Sequence, residues 1–519
     1  MTPTAPPVAR SARTGFLHNV AWGWAGVAVN VVIGFLLSPI LIRKLGLEHF
    51  GIWVLLFSLV DYFRMLDFGF RAAAVNACAR ARVREDWGAV NRTAATAILY
   101  FLASGVACAG LVILFRDPLI GALNVSPALR PEARVVLVVI ACAVALRLVL
   151  SPLTAVLEAF QRFDLVNRAY IASLVLRSTA SLTVLLLGFG LLEMAYVVLT
   201  AQVIENVWSF ICVRQVLPVF RMSPMLVERQ TFAALFRFGR YSAVMAAANL
   251  ISIQAPATIL GLLRGPTEVG FFSLPFRLLM YSAEGLSKVS DVTSSVTAGL
   301  DETRSTAQVW SLAILTNRHC LALFMPLAIF LAIWGTPLLR VWVSPEVGAE
   351  SGRLIPILLI MFLFGVAGQY NAGAILIGQG KHAAYSYAVV LEVIASVICL
   401  FLFVPRYGVV AAAWIVSLTF VTSRGLVLAI LICRQNGFPF RSYVTGIYGR
   451  PLLAAVPVLG LALWLRTWVW EGSNWPELIA AGGVVSAAYF ALAVWLVLET
   501  RHRDALLRRG SQAAGLTTR

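Results

Sequence analysis

The stretch Gly46-Leu47-Glu48-His49-Phe50-Gly51 is answered 219 residues later by Gly265-Pro266-Thr267-Glu268-Val269-Gly270. The correspondence spreads outward from there. Asn30 and Tyr62 recur at the same offset as Asn249 and Tyr281, and Gln161 and Gly190 recur 218 residues later as Gln379 and Gly408. Gly190-(x4)-Ala195-Tyr196 answers Gly408-(x4)-Ala413-Trp414, and Ile211-Cys212-Val213-Arg214-Gln215 answers Ile432-Cys433-Arg434-Gln435. Loop insertions produce slips of one or two residues over such a span. Chance identity among Leu, Ala, Val and Gly is the weaker account, because Asn, Gln and Tyr are not abundant here. Many transporters are duplicated blocks of membrane helices with the substrate path between the copies. The repeat therefore favours a carrier over a channel or an enzyme.

Composition fixes the class. Of the 519 residues, 60% are hydrophobic and 13% charged, and the mean hydropathy is +0.85, whereas soluble domains are about 25% charged. The N-terminus Met1–Gly15 is polar and has neither the apolar core nor the cleavage site of a signal peptide. Seven cysteines lie mostly in apolar segments with no CxxC, and five histidines show no ligand spacing, so metal and disulfide sites are not expected.

Apolar stretches of about 20 residues can cross a bilayer. Fourteen are read at about 19–42, 47–66, 93–115, 133–157, 168–189, 191–213, 238–262, 269–297, 310–334, 353–377, 383–404, 407–432, 445–466 and 476–499. The eighth is crowded by Arg277, Glu284, Lys288 and Asp291. The expected fold is an all-α polytopic membrane protein with two six-helix repeats and two additional C-terminal helices. Six is even, so both copies enter the membrane in the same sense and the repeats are parallel. The expected organisation is a tail 1–16, a lobe 17–213, an amphipathic linker 214–234, a second lobe 235–433, two further spans within 434–499, and a basic tail 500–519.

A net charge of +17 invites a nucleic-acid partner, but its distribution argues against one. Arginines gather in alternate loops: Arg71, Arg80, Arg82, Arg84 and Arg92; Arg214, Arg221, Arg229, Arg237 and Arg240; Arg501, Arg503, Arg508 and Arg509. That is the positive-inside bias, and it puts both termini in the cytoplasm. Arg43-Lys44 runs against it, on the outer side. The outer loops are short, the longest being about 116–131 and 335–352. The segment 214–240, with Pro218, Pro224 and the amphipathic run Thr231–Phe238, reads as a surface helix at the headgroups that straps the two lobes together.

Leu45-Gly46-Leu47-Glu48-His49-Phe50-Gly51-Ile52-Trp53, followed by Leu66-Asp67-Phe68-Gly69-Phe70, resembles the first two helices of polysaccharide-biosynthesis flippases. These are the O-antigen-type translocases of the multidrug/oligosaccharidyl-lipid/polysaccharide exporter superfamily. Gln161-Arg162, the Gly190…Ala195 pattern and Gln379-Gly380-Lys381 extend the likeness over nearly the whole chain. The resemblance implies a flippase in the bacterial cytoplasmic (inner) membrane that carries a polyprenyl-pyrophosphate-linked oligosaccharide outward by alternating access. Membrane lipids are then partners, as are polysaccharide polymerase or assembly proteins. The last two helices would extend a tail-binding groove or dock a partner.

Such a cargo has an anionic, hydroxylated head, and Arg suits its phosphates through forked, permanently charged donors. Charges at mid-membrane usually face a cavity and are functional candidates. Arg147, Arg177 and Arg277 are candidates for the cargo phosphates. Arg64, Arg318 and Arg424 fall near enough to the cytoplasmic interface to snorkel. Asn30 and Asn249 recur at matched repeat positions and line the seam or bond across helices, while Gln254, Gln369 and Asn371 suit sugar hydroxyls. Asp61, Arg64, Asp67, Glu205 and Glu392 are candidates for coupling or gating. Asp61 comes first and Glu392 second if a proton or sodium gradient drives export. The competing reading of Asp61 is a self-neutralising pair with Arg64 at i,i+3. Asp67 caps or tethers a helix end. Arg147 and Arg177 could instead pair structurally with Glu205 or Asp61.

An ion-coupled multidrug or metabolite antiporter of the same superfamily is the alternative, although the excess of arginine over acid disfavours a cationic drug. A membrane glycosyltransferase or ligase is a more distant one, since its outer loops would be larger. No Walker A, GxSxG or paired-carboxylate motif occurs, so no cofactor or catalysis is expected.

Overall fold

The computed structural model describes residues 12–302, 306–381 and 383–497. The basic tail with Arg501, Arg503, Arg508 and Arg509 lies outside the described residues. Helices in chain order are α1 Ala12–Leu45, α2 Leu47–Asp61, α3 Phe70–Val83, α4 Trp87–Ala122, α5 Arg130–Val149, α6 Ser151–Ala159, α7 Phe163–Leu186, α8 Leu191–Val216, α9 Arg229–Arg264 and α10 Pro266–Glu302. They continue with α11 Thr306–Trp342, α12 Pro345–Gly352, α13 Ile355–Ile360, α14 Tyr370–Gly378, α15 Ala383–Phe420, α16 Leu428–Asn436, α17 Phe440–Val444, α18 Arg450–Trp468 and α19 Trp475–Leu496. The protein is a polytopic all-α membrane protein. Lipid cannot hydrogen-bond backbone, so helices that satisfy it internally are what such a sequence must form.

Twelve helical stretches among the described residues are long and apolar enough to span a bilayer, against the fourteen read from the sequence. Two features account for the difference. The stretch Ala383–Asn436 is one run of 54 residues, far longer than one crossing needs. It is broken at Gly408, where φ is 57° and ψ −142°, so the stretches 383–404 and 407–432 are fused in the helix but bent apart by a glycine. The other is α10, a continuous 37-residue helix whose charges keep it out of the apolar set.

The chain forms two compact units, Met1–Gly270 and Phe271–Arg519. In the first, α4, α5 and α8 pack side by side, α7 packs on α1 and α8, and α2 packs on α5 and α9. The chain turns between α2 and α3 through a 3₁₀ segment, Tyr62–Asp67, and two left-handed residues, Phe68 and Gly69. Asp67 Oδ1 accepts the Arg71 amide at 2.9 Å, which ties the first turn of α3. Arg71 Nη2 then donates to Glu158 Oε1 at 2.5 Å.

The run Thr231–Phe238 is not a separate surface helix. It forms the first turns of α9 and packs on the unit through buried Leu235, while Phe232 and Phe236 stay partly exposed. Phe232 and Phe236 pack on Phe70, which stacks on Tyr100 at 4.0 Å. The chain leading to it lies along α4. Asn91 donates to the Val219 carbonyl at 3.1 Å and accepts the Arg221 amide at 3.1 Å, and Arg92 pairs with Glu228 at 3.2 Å.

The second unit is built on α11, which packs against α12, α14, α18 and α19. The last two helices thus belong to this core: Trp334 Nε1 donates to the Trp470 carbonyl at 3.1 Å. Three wide π-helical turns interrupt its helices, at Met361–Ala367, Val421–Val427 and Thr445–Gly449.

Local geometry repeats with the sequence. Gly46 and Gly265 share an unusual conformation, φ 94° and ψ 165° against φ 91° and ψ 174°, and each joins two helices. The turn after α6 places Gln161 at φ 59°, with the Arg162 amide donating to the Leu157 carbonyl. After α14, Gly380 is at φ 69° and the Lys381 amide donates to the Leu376 carbonyl. Every member is displaced by 219. The structural partner of Gln161 is therefore Gly380, one residue beyond the Gln379 that sequence identity suggests.

Candidate functional site

The α2–α9 seam of the first unit carries a line of polar groups. Ser58 Oγ and Thr258 Oγ1 lie 3.2 Å apart, Tyr62 OH lies 3.3 Å from Thr258 Oγ1, and Gln254 Nε2 donates to Asp61 Oδ2 at 2.8 Å. Helical periodicity explains the alignment: Ser58, Asp61 and Tyr62 are three and four residues apart, as Gln254 and Thr258 are four apart, so each set shares a face.

Arg64 and Arg147 act on the Asp61 carboxylate through space. Both are exposed, and neither forms an ion pair among the described residues. The expected i,i+3 pair of Asp61 with Arg64 is thus replaced by a bond from Gln254. A half-buried carboxylate is fixed by an amide while two exposed guanidinium groups lie within electrostatic range of it. Forked donors of this kind suit a phosphate.

The other candidates fall in different places. Arg177 is half-buried on α7 and is not among the groups acting on Asp61. Asn30 is half-buried on α1. Asn249 Nδ2 donates to the Met245 carbonyl of its own helix at 2.9 Å. Glu205 is half-buried on α8 and makes no hydrogen bond or ion pair among the described residues. Arg277, in the second unit, is exposed.

Gln369 and Asn371 are 2% and 0% exposed, so they present no surface to a glycan. They belong to a buried network. Tyr443 OH donates to Gln369 Oε1 at 3.0 Å, and the Asn371 amide donates to Asn317 Oδ1 at 2.8 Å. Nor do Arg318 and Arg424 snorkel. Arg318 Nε donates to the Gly446 carbonyl at 2.6 Å, inside a wide turn whose extra residue displaces carbonyls from their usual donors. Arg424 grips Glu392 with two nitrogens, Nε to Oε2 at 3.0 Å and Nη2 to Oε1 at 3.1 Å, and lies over the Phe420 ring at 4.3 Å. The Glu392 side chain is 0% exposed. Sequence reading weighed Glu392 and Arg424 singly by depth. An acid and a base in successive apolar stretches was the signal that could have paired them.

A second feature of the first unit is an apolar groove of about 450 Å³ between α1 and α7, lined from Ala28 to Ile40 on one side and from Val175 to Leu182 on the other.

The polysaccharide biosynthesis protein family matches residues 16–288 of this chain. The chain is 24% identical to a Bacillus subtilis protein described as "Uncharacterized membrane protein EpsK", over 96% of this chain and 99% of that one. It is 21% identical to the "Putative O-antigen transporter" of Shigella flexneri, over 76% and 93%. Among solved structures, the lipid II flippase MurJ in an inward closed conformation superposes with a TM-score of 0.71 at 12% identity, covering 91% of this chain and 98% of that one. An inward-facing MATE family multidrug resistance transporter gives 0.62 at 16% identity, over 81% and 96%. At these identities the structural likeness concerns the fold alone.

Proposed function

The chain belongs to the polysaccharide biosynthesis protein family, and from that premise we propose that it is a flippase. Its cargo is a polyprenyl-pyrophosphate-linked oligosaccharide, moved from the cytoplasmic to the outer leaflet by alternating access. The observation that carries this reading is the pair of exposed guanidinium groups, Arg64 and Arg147, which act on Asp61 electrostatically and form no ion pair among the described residues. Unpaired charges at membrane depth are expensive unless they face a polar passage. Two of them bind a pyrophosphate in a way that no single lysine could. Gln254 holds Asp61 in place, so the carboxylate repels the anion from one side and limits how tightly it is held. A cargo that must be released is served by that opposition.

The protein sits in the cytoplasmic membrane with both termini inside, as the arginine-rich loops require. The chain's role is translocation. If a gradient drives it, Asp61 is the coupling group, because it is the carboxylate that shares the cargo arginines. Glu392 is a weaker candidate, being consumed by Arg424.

The experiment is reconstitution of the full chain in liposomes with a polyprenyl-pyrophosphate oligosaccharide, reading glycan accessible from each side. Transport that is lost in Arg64→Ala, Arg147→Ala protein of unchanged fold supports the reading. Wild-type transport by that double variant, or export of an organic cation instead, overturns it.

A further inference from the structure

The groove between α1 and α7 and the basic pair Arg43-Lys44 are not used by the site described above. The groove walls are apolar, with Val32, Ile33, Leu36 and Ile40 on α1 and Val175 and Leu182 on α7 among them. Val32, Leu36 and Val175 are exposed. The only hydroxyls in it belong to Ser178 and Thr179, and both are turned back on their own helix. Ser178 Oγ donates to the Leu174 carbonyl at 2.7 Å and Thr179 Oγ1 to the Val175 carbonyl at 2.9 Å. The groove therefore makes no hydrogen-bond demand and suits hydrocarbon alone.

It follows α1 from Ala28 to Ile40, twelve rises or about 18 Å at 1.5 Å per residue, more than half of a hydrocarbon core about 30 Å thick. At the end of this run, within one turn of Ile40, α1 carries Arg43 and Lys44. Both are exposed. They stand on the side that the other loops mark as outer, against the positive-inside bias. An unbranched slot for a chain with two cations at one end matches an amphiphile with an apolar tail and a doubly charged anionic head.

We propose that the α1–α7 groove holds the isoprenoid tail of the polyprenyl-linked cargo, with its pyrophosphate held by Arg43 and Lys44 at the outer end of α1. This rests on the flippase reading and adds a station to it. Cargo leaving Arg64 and Arg147 is received in the outer leaflet before it is handed on. The two basic residues would meet the pyrophosphate as it arrives on that side. An ordinary zwitterionic lipid would fill the groove equally but brings no net negative charge to the exposed cations. Polyprenyl diphosphate is thus the committed occupant.

The test uses the full chain in liposomes and a polyprenyl diphosphate with a photoreactive group in its tail. We expect cross-links on α1 and α7, competed by unlabelled polyprenyl diphosphate and not by excess phosphatidylglycerol. Leu36→Trp or, as a smaller intrusion, Val32→Phe should reduce them severalfold with unchanged thermal unfolding. Arg43→Ala, Lys44→Ala protein should lose competition by polyprenyl diphosphate by at least about tenfold, the scale of a charge-assisted bond. Cross-links confined to other helices, such as α18 and α19, overturn the groove while leaving the flippase reading intact. Equal competition by phospholipid overturns the groove too. No cross-link on any helix, together with no glycan transport, overturns both.

Discussion

Gly51 packs directly against Pro266: a β-carbon at Gly51 would overlap the Pro266 backbone carbonyl. The contact is reciprocal. A β-carbon at Gly270, which is Gly51 displaced by 219, would meet the Leu47 side chain at 2.8 Å. The turn that joins α1 to α2 and the turn that joins α9 to α10 are thus pressed together by equivalent glycines. Below them Gly261 lies against Leu55, and the seam continues to Asp61.

From this we expect Gly51→Ala to be the more damaging of the two substitutions. Its obstacle is backbone, which cannot swing aside, whereas Leu47 has other rotamers. Overpacking costs about 1–3 kcal/mol, so thermal unfolding in detergent should show a clear loss for Gly51→Ala and a smaller one for Gly270→Ala. The reverse order would refute the seam.

Removing either cargo arginine should cut glycan transport strongly. A charge-assisted hydrogen bond contributes roughly 1.5–3 kcal/mol, so Arg64→Ala or Arg147→Ala should each lower transport by about tenfold or more. Lys at either position should recover only part, since it lacks the fork. Full activity with Lys at both would show that charge alone matters.

Asp61→Asn tests coupling. The amide keeps a hydrogen-bond partner for Gln254 but cannot carry charge. We expect transport in liposomes to lose its response to an imposed proton or sodium gradient. An unchanged response would remove Asp61 from the coupling role.

The Glu392–Arg424 pair should behave as a structural unit. Breaking a buried pair by deleting one partner costs about 3–5 kcal/mol, while replacing both by apolar groups is often neutral. Glu392→Leu and Arg424→Leu should each lower the unfolding temperature, and the double variant should recover most of it. Additive losses in the double variant would mean the partners are not coupled.

Cys78 should be silent in thiol labelling. It is fully buried on α3, and burial pushes its thiol up to about 12. The reactive thiolate is scarce until the pH approaches that value, so alkylation at pH 8 should miss it in folded protein and reach it after unfolding. Arg84 is exposed close by. An Arg84→Cys variant should therefore label from the cytoplasmic side, and labelling by an impermeant outside reagent would invert the proposed topology.

Much of the fold was legible because lipid leaves a sequence few choices. Gly46 and Gly265 were conspicuous as matched breaks in apolar sequence, and both proved to be helix junctions. The site was less legible. Gln254 and Asp61 are 193 residues apart, and no periodicity links them. Arg147 comes within electrostatic range of Asp61 only because α5 packs on α2. Asn371 looked like a sugar ligand because an amide in an apolar stretch has the same appearance whether it faces a cavity or a core.

The wide turn at Val421–Val427 lies where the spacing between the repeated sequence patterns changes. Between the repeated sequence patterns the offset is 218 at Gly190 and Gly408 but 221 at Cys212 and Cys433, so this helix carries extra residues relative to α8. A loop would have absorbed them unseen. Inside lipid they had to be stored as a swollen turn, since no backbone group there can go unbonded. Each added residue turns the following face by about 100°. Arg424 sits in that turn and points at Glu392, whereas the matching helix of the first copy has Glu205 and no such turn. The two matching stretches are therefore not interchangeable. A chimera carrying α8 in place of the end of α15 would present the wrong face to its neighbours, however similar the two sequences look.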